Sequence, residues 1–486
     1  MTARRRRHGA AGEDPAAIRF GTSGWRGVLG EEVTFPRLRI LTRAVADWLR
    51  AEERGRRVLI AWDARFASRA MAEIAAAVLQ EEGLSPWLTS DCTPTPAVSH
   101  ALAHGRFAAG LVLTASHNPP ADHGLKLFDA SGATLADGFV RKIEAIAARR
   151  PRDAAPARAS RAVRTLSLAE PYLEALAARL DRDALRTGGV SLFHDAMHGA
   201  AGGYLDGLMA RLGVAVEGLR ERPDPTFGGS APDPVPARLG ELTARLRACS
   251  GRTAGPALGI AHDGDGDRVG VVDGRGRVLS ETQALALLVD HLASTGRIGV
   301  GVAIGTATGS LVEKVARAHG LAVERHPIGF KHLSAAILAG RADVAGEESG
   351  GFAWAPMGPD KDGILAGALL VELVARSREP LERHVDRLEA RFGPSACGRI
   401  ALPRTAIRTR GLERLKVDPP ARIDRVAVLA VDASEGLRLG LADGGFLMFR
   451  ASGTEPIVRI YAEAADAMQL ERRLGLGTRL LARVGR

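Results

Sequence analysis

Short continuous apolar runs alternate with amphipathic stretches along most of the chain. After Phe35 and Pro36, the residues Leu38, Leu41, Val45 and Leu49 recur near one face, which predicts a helix. The apolar run from Arg57 through Ile60 to Asp63 predicts a strand that ends in an acid. Residues 67–82 read as helix, and residues 108–114, closing on Leu111, Val112, Leu113 and Thr114, read as a buried strand. Strands apolar on both faces and separated by helices predict a parallel α/β sheet, with functional loops at the carboxyl ends of its strands.

The pattern breaks at residues 150–161, a stretch of Pro, Ala and Arg that predicts a domain connection. It restarts at Val190–Asp195. A helix near 202–212, a strand at 214–219, a helix near 236–248 and the strand Leu258–Ala261 follow, ending at Asp263. A third cycle begins near Thr282, with strands near 298–304, 321–326 and 343–346 and a helix over 363–376. After about residue 392 the rhythm changes. Strands near 399–402, 426–432, 437–441, 446–449 and 457–461, with helices near 408–417 and 465–481, predict a smaller α+β domain. The expected division is a basic tail over 1–17, then domains over 18–155, 156–277, 278–392 and 393–486, with a cleft built from several loops.

Composition narrows the function. The 486 residues are 46% hydrophobic and 25% charged, which is globular and rules out fibrous or wholly disordered classes. No apolar run reaches the length of a membrane span. The three cysteines, Cys92, Cys249 and Cys397, lie far apart, so a reducing, cytoplasmic setting is expected. The net charge of +10 owes part of its excess to Arg4–Arg7, read as a solvated terminus. With 13 Phe, 5 Trp and 3 Tyr, a base-stacking surface has little to build on, and no nucleic-acid partner is expected.

Five segments carry candidate chemistry. Asp263-Gly264-Asp265-Gly266-Asp267-Arg268 follows a strand and sets alternating carboxylates around tight glycine turns. Mg²⁺ suits such oxygens. A calcium loop would need Gly and Glu where Arg268 and Gly274 stand, and a structural acidic turn is the competing reading. Thr114-Ala115-Ser116-His117-Asn118-Pro119 places Ser116 on a stiff turn, as a phosphoryl carrier beside a cation site or as an ordinary loop. The neighbouring pair of Ser116 and His117 does not make a hydrolase triad. Lys126, Lys331 and Lys361, among only six lysines, fall near polar or Gly-rich loops and offer a phosphate counter-charge or a base. Glu347 and Ser349, in Gly346-Glu347-Glu348-Ser349-Gly350, offer a paired acceptor and donor for sugar hydroxyls. Arg450-Ala451-Ser452-Gly453-Thr454-Glu455-Pro456, with Arg459 beyond it, suits a bound, unreacting phosphate, an interdomain salt bridge being the alternative. Glu455 reads as a residue that orients Arg450. Phe20-Gly21-Thr22-Ser23-Gly24-Trp25-Arg26-Gly27 is a further anion loop whose glycines alone are a weak signal.

Taken in order, these five segments resemble the signatures of the α-D-phosphohexomutases, from about residue 18 to 475. The resemblance implies three related α/β domains around a cleft and a TATA-binding-protein-like fourth. It implies Ser116 as the phosphorylated serine, with Asp263, Asp265 and Asp267 as Mg²⁺ ligands beside it. Arg26, His117, Lys126 and Arg268 fall at the reacting phosphate, Lys126 as acid/base. Glu347, Ser349 and Lys331 fall at the sugar. Arg450, Ser452, Gly453, Thr454 and Arg459 fall at the distal phosphate. The implied activity is interconversion of glucose 1- and 6-phosphates through a phosphoserine enzyme and glucose 1,6-bisphosphate, by a monomer or weak homodimer. A phosphomannomutase or dual-specificity enzyme is the first alternative. Glu348 and Ser23 stand where phosphoglucosamine mutases more typically have Gln and Asp, so that activity ranks lower, beside a non-catalytic sugar-phosphate sensor.

Overall fold

The computed structural model describes residues 18–150, 162–249, 251–253, 255–452 and 456–485. The basic tail, the Pro/Ala/Arg connection beyond Arg150, and Gly453, Thr454 and Glu455 lie outside the described residues. Four sheets follow one another along the chain, three in α/β units and one in a smaller α+β unit.

The first sheet runs Phe20–Gly21, Gly24–Val28, Asp122–Asp129, Ala109–Leu113, Arg57–Trp62, Ser85–Thr89, Arg164–Leu166. Its last four strands are parallel, as the apolar runs predict. Asp122–Asp129 is antiparallel to Ala109–Leu113, and Gly24–Val28 is antiparallel to Asp122–Asp129. The expected parallel sheet is therefore found with antiparallel strands added at one edge. The same addition occurs twice more. Val269–Val272 returns antiparallel on Ala257–His262, and Phe352–Trp354 returns antiparallel on Val344–Gly346. Val269–Val272 and Phe352–Trp354 escaped the pattern because they are as continuously apolar as parallel strands, whereas Asp122–Asp129 mixes buried Asp, His and Lys with Leu and Phe; a turn rather than a helix precedes each. The fourth sheet is antiparallel, in the order Ala396–Pro403, Ile457–Ala464, Phe446–Ala451, Leu437–Leu441, Val426–Asp432, Arg422–Ile423.

This topology gives the motifs a common setting. Residues 114–121, 263–268, 347–351 and 452–456 each connect two hydrogen-bonded antiparallel strands. The first three of these loops are thus pinned at both ends by a ladder, which holds their side chains more tightly than a free crossover would.

Helices form over the stretches expected at 35–49 and 363–376, while Thr95–His104, Asp137–Arg149, Ala169–Ala177 and Leu381–Phe392 are helices the pattern did not single out. Phe35–Ala51 starts at Thr34, whose hydroxyl accepts from the Arg37 N–H, and buries Leu38, Leu41, Val45 and Leu49. Gly363–Ser377 is buried along nearly its whole length and packs into a core shared by the first three units, through Leu59, Tyr172, Leu205, Leu285 and Leu369. Each fully buried leucine there contributes about 1.5–3 kcal/mol. Only glycine fits at Gly363, because a Cβ would lie 2.4 Å from the Arg268 carbonyl oxygen. The central helix therefore starts directly beneath the acidic loop. No helix among the described residues is long and apolar enough to cross a membrane.

Candidate active site

Ser116 sits at φ +52°, a left-handed conformation uncommon for a residue with a side chain. Its N–H donates to Thr114 Oγ1 at 2.8 Å, and Thr114 Oγ1 donates to Asp63 Oδ2 at 2.6 Å. From below, the fully buried Arg65 donates to the carbonyls of Ser116, Asn118, Pro119 and Asp122, at 2.5, 2.7, 2.8 and 2.9 Å. The guanidinium fork collects four carbonyls of one loop and pairs with Asp63 at 3.3 Å. Ser116 is thereby held with its hydroxyl toward the second unit, where Oγ donates to Asp263 Oδ2 at 2.7 Å.

The acidic loop is fixed by both neighbouring units. Thr95 N–H donates to the Asp265 carbonyl at 2.9 Å, and Gly363 N–H to the Gly266 carbonyl at 3.2 Å. Arg268 bridges to Gly351 in the Glu347–Gly351 loop. Asp263, Asp265 and Asp267 are at most 1% exposed, and one oxygen of each lies within 4.8 Å of the others. Three carboxylates so close need positive charge. Lys126 Nζ stands 2.5 Å from both Asp265 Oδ2 and Asp267 Oδ2, and Lys361 Nζ stands 3.2 Å from Asp267 Oδ2. Burial alone would raise every carboxyl. For Asp267 it is outweighed by Lys126, Lys361 and Arg268, which pull it well below the usual range. Asp263 has no such lysine contact, and burial with two neighbouring acids pushes it well above that range. Burial opposes the Lys126 cation, yet Asp265 and Asp267 hold its pKa above the ordinary lysine value.

The residues fit a hard divalent cation. Asp265 Oδ1 and Asp267 Oδ1 are buried acceptors without a hydrogen-bond partner, in an all-oxygen donor set. Beside them, Arg26 Nε and Arg268 Nε are buried donors without a partner. Orphaned acceptors next to orphaned donors suit a cation and an anion bound together. Arg26 otherwise donates to Asn118 Oδ1 at 3.2 Å and to the Ser23 carbonyl at 3.1 Å, and Arg268 pairs with Asp233 at 3.6 Å. His117 Nδ1 lies 3.4 Å from Ser116 Oγ; burial, with Arg268 and Arg26 nearby, keeps its ring neutral.

The third unit adds Glu347, whose Oε1 accepts from Ser349 Oγ at 2.6 Å and lies 4.0 Å from Lys361 Nζ. Lys361 thus links the acidic loop to the Glu347–Gly351 loop. Glu348 faces a cavity of about 450 Å³ that Ser349, Asp233, Arg399 and Tyr461 also line. Burial and its neighbour Glu347 push the Glu348 carboxyl up to about 7. Lys331 pairs instead with Asp137 of the first unit. In the fourth unit Arg450 and Arg459 are cross-strand partners, and Ser452 N–H donates to the Ile457 carbonyl. Ser116, His117, Arg26, Lys126, the three aspartates, Arg268 and Glu347 therefore meet in one place. Lys331 forms a separate bridge, and Arg450 with Arg459 a separate basic cluster.

Sequence reasoning missed Arg65 and Thr95, whose Oγ1 donates to Asp265 Oδ2 at 2.6 Å, and left Lys361 undecided. The acid ending the strand at Asp63 was the available pointer to the Arg65 clamp.

The phosphoglucomutase/phosphomannomutase descriptions match all four units. Alpha/beta/alpha domain I covers residues 17–153, domain II 170–276, domain III 280–392 and the C-terminal domain 409–474. The chain belongs to the α-D-phosphohexomutase family. A phosphoglucomutase/phosphomannomutase of Thermococcus kodakarensis is 28% identical over 95% of this chain and 98% of its own. A phosphoglucosamine mutase of Clavibacter michiganensis is 30% identical over 93% and 96%. The crystal structure of a Thermus thermophilus protein described as a candidate phosphomannomutase is 35% identical. It covers 96% of this chain and all of the other, with a TM-score of 0.84. The phosphohexomutase is accordingly an intramolecular phosphotransferase acting on sugar phosphates.

Proposed function

We propose that this phosphohexomutase interconverts glucose 1-phosphate and glucose 6-phosphate, with Ser116 as its phosphoryl carrier. The observation that carries the reading is Ser116 Oγ, aimed 2.7 Å from Asp263 by a left-handed turn, at the edge of the three-carboxylate cluster. Asp263, Asp265 and Asp267 would hold Mg²⁺, which when bound neutralises charge on the transferring phosphoryl oxygens. The free N–H groups of Arg26 and Arg268 meet those oxygens. Glu347 and Ser349 orient the sugar through its hydroxyls, with Lys331 at the far rim. Arg450, Ser452 and Arg459, with Gly453 and Thr454 of the same loop, grip the phosphate that does not react.

In the forward half-reaction the bond from phosphorus to Ser116 Oγ breaks as one to the sugar's free hydroxyl forms. One proton moves from the sugar hydroxyl to the serine oxygen by way of Lys126, which gives its proton to the serine oxygen and takes up the hydroxyl's. Lys126, kept as an ammonium by Asp265 and Asp267, is the donor on the enzyme side. The product, glucose 1,6-bisphosphate, turns over in the cleft and returns its other phosphoryl group to Ser116. Added bisphosphate would therefore prime the dephosphorylated enzyme. The three free cysteines support a reducing, cytoplasmic setting.

Glucose is favoured by Glu348, which resembles the phosphoglucomutase pattern. Glucosamine phosphates are the second reading. Glu348 Oε2 is buried without a partner and would pair with an ammonium, and several relatives are named phosphoglucosamine mutase. Turnover of glucose, mannose and glucosamine 1-phosphates, each with Mg²⁺ and a trace of the matching bisphosphate, tests the reading. Glucose 1-phosphate is expected to give the highest kcat/KM. A higher value for glucosamine 1-phosphate would overturn the glucose assignment and leave the mutase chemistry intact.

A further inference from the structure

The turn between strands Val426–Asp432 and Leu437–Leu441 presents Glu435 to the basic cluster of the fourth unit. The turn is rigid. Ser434 N–H donates to Asp432 Oδ1 at 2.9 Å. Gly436, at φ +113°, lies so close to Phe449 that a Cβ would fall 2.2 Å from its carbonyl oxygen. From there Glu435 Oε1 accepts from Arg450 Nη2 at 3.3 Å. Its Oε2 accepts from the Ile328 N–H at 2.5 Å and from Thr306 Oγ1 at 3.4 Å, both in the third unit. Arginine, a backbone N–H and a hydroxyl are also the donors that suit a phosphate oxygen.

We infer that Glu435 is a resident counter-anion of the distal phosphate site, which holds Arg450 while the site is empty and gives it up to substrate phosphate. The inference rests on the assignment of Arg450 to that phosphate. Reorientation of the bisphosphate requires the distal phosphate to be released within each turnover. A carboxylate waiting beside Arg450 lowers the cost of that release, because the guanidinium exchanges one anion for another and is not left bare. Docking of the fourth unit has contacts beyond this carboxylate. Arg438 Nε donates to the Thr306 carbonyl at 3.1 Å, and Phe446, Met448 and Tyr461 pack on Ala307 and Ile328. Glu435 is thus a positioning residue that acts through Arg450.

The test is calorimetric titration of the Mg²⁺-loaded enzyme with inorganic phosphate, for wild type, E435Q, R450A and the double variant, with steady-state kinetics of wild type and E435Q. The amide of E435Q keeps an acceptor for the Ile328 N–H and loses only the charge. E435Q is expected to bind phosphate about 3- to 10-fold tighter, the scale of a lost half-buried ion pair. Its KM and kcat should fall together as release slows. R450A should bind more weakly than wild type and cancel the E435Q effect. Weaker or unchanged binding in E435Q, with R450A still weakened, would overturn the exchange and leave the distal site standing. Unchanged binding in R450A would overturn the site assignment itself. Tightening by E435Q that persists in the R450A background would show a general charge effect and would also overturn the exchange. E435D, which keeps the charge, should stay near wild type; tightening there would count against the proposal.

Discussion

At the scale of single residues, the chemistry depends on groups that do not themselves react. Arg65 satisfies four carbonyls of the serine loop and the Asp63 carboxylate, with none of its side chain exposed. Arg65→Ala leaves those acceptors buried, and a loss of about 3–5 kcal/mol is expected in urea unfolding. Arg65→Lys keeps the charge, yet one ammonium cannot match the planar fork, so kcat should fall roughly 100-fold with a smaller loss of stability. A wild-type kcat in that variant would show that the clamp does not position Ser116. His123 gives a pH signature. Gly124 N–H donates to its Nδ1 at 2.7 Å, which leaves the proton on Nε2, 2.9 Å from Ser68 Oγ. Burial, with Arg65 adding to it, lowers its pKa to about 4. The unfolded chain then takes up a proton that the folded one refuses. Stability is full above pH 6.5 and is lost as pH falls toward 4, by an amount on the order of 3 kcal/mol for this group. Urea midpoints from pH 7 to 5 should fall less steeply in His123→Asn than in wild type; equal slopes would contradict the assignment.

At the scale of elements, the decisive feature is the hairpin that carries each motif. The apolar runs at 57–63 and 108–114 reported their strands and the loops at their ends. They could not report that Asp122–Asp129 turns back antiparallel, since Leu125 and Leu127 are as buried as a parallel strand's residues. The acidic and serine loops were legible because their residue types are unusual in sequence. Thr95 was not, because a lone threonine at a helix start reads as an ordinary cap, and only folding brings it to Asp265 across 170 positions. Lys331 illustrates the reverse: its loop was legible, but its ion pair with Asp137 depends on how two units meet. Helix Gly363–Ser377 offers a test at this scale. Asp362 Oδ1 accepts from the Leu365 N–H, and the buried Tyr172 hydroxyl donates to the same carboxylate at 2.7 Å. Asp362→Ala removes the cap and orphans the tyrosine, and a loss of about 2–4 kcal/mol is expected, against about 1 kcal/mol for Tyr172→Phe.

At the scale of the molecule, the fourth unit is fastened to the third by carboxylates that reach backbone donors. Glu463, 3% exposed, accepts from the Ser310 N–H and hydroxyl and from Ser395 Oγ. It caps helix Ser310–Ala318, whose own N-cap Gly309 has no side chain to do so. In Glu463→Ala the Ser310 amide should exchange with solvent about 5- to 30-fold faster, the equivalent of 1–2 kcal/mol. Unchanged exchange would mean that the contact does not hold the units together. The contact bears on the proposed mechanism, in which a phosphorylated Ser116 would need a site that excludes water while the bisphosphate turns. The most direct measurement is of the carrier itself. The enzyme is loaded with glucose 1,6-bisphosphate labelled in its phosphoryl groups, the modified peptide is located by mass spectrometry, and excess unlabelled glucose 1-phosphate is then added. The label is expected on Ser116, absent from Ser116→Ala, and chased completely off the protein into bisphosphate and hexose monophosphate. Label on another residue, or label on Ser116 that the sugar phosphate fails to remove, would contradict the account.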